Sequence, residues 1–162
     1  MKMFCFLFKI QNIFFIFLIV YHIMAIVIYS ILLTLFYCCV TDILYREIRN
    51  SSVLLVLIFA VSLVCFTHDF NVIIPILILI IGFFLTLIGV IGAGDIKLLF
   101  ALCISVPSEL IGIFFFAMCC FGAPISILVL LISRFLFKIK VNTVPFGIAI
   151  SIGYIMTMWR FI

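Results

Sequence analysis

Charge is what this sequence has least of. Its 162 residues include nine Lys or Arg and five Asp or Glu, 9% in all, while 70% are hydrophobic and the mean hydropathy is +1.70. A soluble domain needs a charged surface, so this scarcity excludes one and marks an integral membrane protein. The length leaves no room for a soluble catalytic module beside the membrane spans. Any chemistry therefore sits in or beside the bilayer. The small positive excess, +4, lies between apolar runs, where Lys and Arg act as topology signals; nucleic-acid binding is excluded.

Cysteine is present but without pattern. Cys5, Cys38, Cys39, Cys65, Cys103, Cys119 and Cys120 all lie inside apolar runs, with no CxxC and no His at ligand spacing. They read as small buried hydrophobes. Neither a metal site nor a disulfide framework is expected, and no cofactor.

What remains is a series of apolar runs. A spanning helix needs about 20 apolar residues, and the uncharged gaps place spans within 10–41, at 53–67, 72–91, 95–106 and 110–133, and from Pro145 to near Arg160. The expected fold is an all-α integral membrane bundle of about six transmembrane helices. Residues 1–23 are an apolar extension, weakly basic through Lys2 and Lys9, with two readings. They are part of one long tilted first helix, or they precede a true start at Met24. No small-residue cleavage site follows, which argues against a signal peptide. Residues 24–162 form the membrane-embedded domain.

Positive loops face the cytoplasm. The segment with Arg46 and Arg49 and the one with Arg134, Lys138 and Lys140 are separated by four spans, so both fall on one side. The intervening turns, THDFN (67–71) and VPSE (106–109), carry no Lys or Arg. This topology brings Asp42, after the first span, and Asp95, at the start of the short fourth one, to the same membrane face.

A carboxylate in a spanning helix costs about 2.5–3.5 kcal/mol on insertion scales and normally faces a cavity or a partner. Two within hydrogen-bonding distance would share one proton, the arrangement by which paired aspartates activate a water against a peptide carbonyl. Two plainer readings stand beside this one. Asp42 can pair with Arg46 at i, i+4, and Asp95 can sit at its own helix N-terminus for the macrodipole. Gly92 and Gly94 lack a Cβ, so another backbone can approach Asp95 closely. Lys97 lies about 200° round a helix from Asp95 and is not its partner; it either snorkels to the interface or binds or positions something nearby.

The words around the aspartates are more specific than their spacing. GAGDIKLL (92–99) resembles the GxGDxKL motif of the type IV prepilin peptidases, which are GxGD membrane aspartic peptidases. TDILYREIRN (41–50) looks like their other catalytic segment, with Asp42, Ile48 and Asn50 in register, and VPFGIAISIG (144–153) resembles a third block near their C-terminus. The resemblance implies that Asp42 and Asp95 are catalytic, that Gly92 and Gly94 are motif glycines, and that Lys97 and Asn50 are motif positions near the substrate. It further implies a multi-pass protein of the bacterial inner membrane, cleaving the short basic leader of prepilin-like precursors at the cytoplasmic face, with pilus or secretion assembly machinery as its partner. Arg49 stands where the family usually has Pro, and the cytoplasmic domain with paired CxxC motifs is absent, so the chain looks like the short, peptidase-only form associated with Flp/Tad pili. The alternative is a non-catalytic assembly or transport subunit that uses the same two Asp for ion, proton or precursor binding.

Overall fold

The computed structural model describes residues 2–45, 47–67, 72–89, 91–137 and 146–159. Arg46, His68, Asp69, Lys138, Lys140, Pro145 and Arg160 lie outside the described residues, and with them the expected pairing of Asp42 with Arg46 and the basic loop after residue 137. In hydrocarbon every backbone amide and carbonyl needs an internal partner, and the chain answers with helices: α1 (Lys2–Tyr45), α2 (Asn50–Thr67), α3 (Ile73–Leu87), α4 (Ala93–Ser105), α5 (Ile111–Ala117), α6 (Ala123–Phe137) and α7 (Phe146–Met158). A π-helical turn, Met118–Gly122, joins α5 to α6, so the two act as one span. Leu18–Tyr45, Asn50–Thr67 and Ser108–Ile132 are long and apolar enough to cross a membrane. The protein is an all-α membrane bundle.

α1 is continuous; no turn separates residues 2–23 from the rest. Its buried positions Ile28, Ile31, Leu35, Cys38 and Asp42 recur at three- and four-residue steps, the stripe of a helix with one face inward. Exposed Leu33, Phe36 and Tyr37 lie between them. α4 is well enclosed: Ile96, Leu98, Leu99, Ala101, Leu102 and Cys103 are all buried. Its 13 residues reach about 20 Å at 1.5 Å per residue, short of the roughly 30 Å hydrocarbon thickness.

Local chemistry explains the breaks. Gly89 has φ +79°, the left-handed conformation that ends a helix and that glycine adopts without a Cβ penalty; it turns the chain from α3 towards α4. Pro75 lies in the first turn of α3, where its missing N–H costs no helical bond. Pro124 is inside a helix, where it leaves a preceding carbonyl without its donor. The π turn lies immediately before it, and Ala123 N–H bonds the carbonyl of Met118. Buried hydroxyls are satisfied locally: Ser126 donates to the Gly122 carbonyl at 2.9 Å, Thr157 to that of Gly153 at 2.7 Å.

The π turn also meets α7 closely. A Cβ at Gly122 would lie 2.5 Å from the Ala149 carbonyl oxygen and 2.7 Å from its Cα. Backbone cannot rotate away as a side chain can, so Gly122→Ala forces the helices apart. It is expected to cost about 1–3 kcal/mol, as overpacking does, read as a lower unfolding midpoint in detergent.

Candidate active site

The connections place one end of the bundle at the C-terminus of α1 and the N-termini of α2, α4 and α7. Asp42 lies in the last turn of α1 and is only 7% exposed. Its Oδ2 accepts a hydrogen bond from the backbone N–H of Gly147, 3.0 Å away. Because α7 begins at Phe146, that N–H belongs to the first turn, whose amides have no partner inside the helix and carry the positive end of its dipole. A side chain at 147 would intrude: its Cβ would sit 3.0 Å from Asp42 Oδ2. The same contact is braced by Cys39, whose thiol lies 3.1 Å from Ser151 Oγ, and by Ser151, which donates to the Gly147 carbonyl at 2.8 Å.

Asp95 comes from α4. Gly92 is the N-cap residue, extended at φ −69° and ψ 140°, which makes Asp95 the third residue of the helix. From there the carboxylate reaches back and accepts a hydrogen bond from the Gly92 backbone, one half of a capping box. Gly92 permits this, since a Cβ there would stand 3.0 Å from Asp95 Oδ2. Asp95 is half-buried and lies within electrostatic reach of Asp42. Asp95 thus sits in the first turn of its own helix, where the macrodipole favours it, and at the same end of the bundle as Asp42. Asp42, for its part, bonds across 105 residues of sequence to the start of α7.

At Gly94 another part of the chain makes the close approach. The space left by its missing Cβ is taken by the chain itself, with Ile48 Cβ 3.1 Å from where a Gly94 Cβ would be. Lys97 Nζ donates to Asn50 Oδ1 at 3.2 Å, so two motif positions 47 residues apart meet. Arg49 donates from Nη1 to Tyr37 Oη at 3.4 Å, while its carbonyl accepts the N–H groups of Ser52 and Val53 that open α2. The turn therefore closes without the proline that the resembled motif has there.

A groove of about 650 Å³ between α1 and α2 is lined by Leu33, Phe36, Tyr37, Val40, Ser52 and Leu55 among others. Tyr37 and Val40 also line a second hollow of about 450 Å³, whose walls include Thr41, Tyr45, Glu47 and Arg49. The two hollows share Tyr37 and Val40, and the second reaches Thr41, the residue before Asp42 in the chain. Among the described residues no group of three or more His, Cys, Asp or Glu could hold a metal ion.

Gly147 is the site residue that sequence reasoning did not single out. Its signal was there in the third motif block, an aromatic and Gly at a helix start, but a backbone donor has no side chain to mark it. No curated protein and no solved structure matches the chain. The model of the type IV leader peptidase family matches residues 29–127, more than half of the sequence and inclusive of Asp42, Asn50, Gly92, Gly94, Asp95 and Lys97. With that match over more than half of an all-α membrane bundle, the chain belongs to the type IV leader peptidase family.

Proposed function

We propose that the protein is a prepilin-type leader peptidase and that Asp42 and Asp95 are its catalytic pair. The observation that carries this reading is that two carboxylates on separate helices, Asp42 in the last turn of α1 and Asp95 in the first turn of α4, lie at the same end of the bundle in a chain of a peptidase family. The pair shares one proton. The ionised carboxylate takes a proton from water as the water oxygen bonds to the scissile carbonyl carbon, and the protonated one donates to the carbonyl oxygen. Collapse of the tetrahedral intermediate breaks the C–N bond, and the proton passes to the leaving nitrogen. The products are a carboxyl terminus on the leader and a free amine on the mature protein.

The substrate in this reading is a precursor whose short basic leader precedes an apolar segment. In this reading that segment lies along the groove between α1 and α2, with the junction toward the hollow that reaches Thr41, next to Asp42 in the chain. The site faces the cytoplasm across a bacterial inner membrane, and the mature product passes to pilus or secretion machinery. Cleavage by the protein in liposomes of a peptide with this leader-and-segment pattern, read as fragment masses, tests the activity; an uncut peptide counts against it. Sidedness has its own test. A cysteine at exposed Ser51, in the first turn of α2, is expected to react with an impermeant thiol reagent only from the cytoplasmic side, and periplasmic labelling contradicts the orientation.

A further inference from the structure

Lys97 has a fixed partner although it is exposed, which a lysine merely snorkelling to water does not need. Its bond to Asn50 is not isolated. Residues 47–49 are non-helical and lead directly into α2. Asn50 is the first residue of α2, and on a helix such as α4 residues three apart share a face. Ile48 and Asn50 are two apart, Gly94 and Lys97 three apart, and the first pair meets the second member for member. Ile48 fills the notch at Gly94 while Asn50 accepts from Lys97. Asp95 stands between Gly94 and Lys97 in sequence, and Asp42 is three residues before the end of α1, where the connection starts.

We propose that Lys97 is a positioning residue: together with Gly94 it latches the α1–α2 connection onto the first turn of α4 and so sets the separation of Asp42 and Asp95. This rests on the reading of those aspartates as the working pair. An exposed hydrogen bond contributes little stability by itself; its effect here is geometric, since it selects one seating of a connection that has only a few residues. The two short motifs around the aspartates are then complementary surfaces. The glycine and lysine of one receive the isoleucine and asparagine of the other.

The test is a set of variants assayed for peptide cleavage, with one measurement independent of activity. Lys97→Met and Asn50→Leu are each expected to lower kcat about tenfold at unchanged KM, since small misplacements of reacting groups cost rate rather than binding. The double variant is expected to be no slower than either single one, because both remove the same bond, and Asn50→Asp, which keeps an acceptor for Lys97, is expected to retain the parent rate. Additive losses, or a raised KM with kcat intact, overturn the latch, the latter by putting Lys97 on the substrate. In the otherwise unaltered chain, cysteines at 50 and 97 are expected to be joined by a short bismaleimide, the linked peptides being identified by mass spectrometry. Absence of that link overturns the latch whatever the activity. A double-cysteine chain that links, beside a parent chain that does not cleave, overturns the peptidase reading instead.

Discussion

Asp42→Asn and Asp95→Asn are each expected to lower leader removal by about a thousandfold or more, and the double variant is expected to fall no further. Each substitution keeps the shape and removes the titrating group. One carboxylate alone cannot both accept the proton of water and supply one to the carbonyl oxygen, so losing either disables the same step. The fold should persist in both. In Asp42→Asn the new amide oxygen still accepts from the Gly147 N–H, and in Asp95→Asn it still accepts from the Gly92 amide. Equal detergent unfolding midpoints with lost activity separate chemistry from folding. In the proposed mechanism the pair holds one proton between two groups, so the parent's rate should fall on both the acid and the alkaline side of an optimum. Full processing by either single variant sinks the catalytic assignment and favours the subunit that merely binds ions or precursors.

The second large effect is expected at a residue with no side chain. Gly147→Ala sets a Cβ 3.0 Å from Asp42 Oδ2 and 3.6 Å from its Cγ, so the carboxylate must move by a few tenths of an ångström while the N–H that orients it stays in place. The rate should drop about tenfold, and about a hundredfold for the β-branched Gly147→Val, with KM little changed. This differs from Gly122→Ala, where the obstacle is the Ala149 backbone and the loss is in stability. Kinetic assays paired with thermal unfolding distinguish the two glycines. A Gly147→Val protein as active as the parent would show that Asp42 does not depend on the start of α7.

Much of the architecture is legible because charge is so scarce. With five acidic residues in the whole chain, each one has to be explained, and the alternation of apolar runs and polar turns is enough to bring Asp42 and Asp95 to one end of the bundle. The helices lie where those runs place them, and α4 begins at Ala93, within two residues of the expected start. What the sequence does not convey lies in long-range contact. Nothing in periodicity shows that Lys97 meets Asn50, or that a backbone amide 105 residues away holds Asp42. Gly94 illustrates the limit. A missing Cβ signals close approach, but only the packing reveals that Ile48 of the same chain makes it. The π turn at Met118–Gly122 is likewise hidden, since Pro124 announces a disturbance in the helix without saying how the carbonyls before it are reconciled.

The central claim, that two aspartates from α1 and α4 cut a precursor at its leader, is tested most directly by the N-terminus of that precursor. A candidate precursor is co-expressed with the parent chain, with Asp42→Asn, or with Asp95→Asn, and its N-terminal peptide is identified by mass spectrometry. The parent should yield a terminus immediately after the basic leader, and both variants should yield the leader intact. A precursor matured equally in all three, or in none, contradicts the claim.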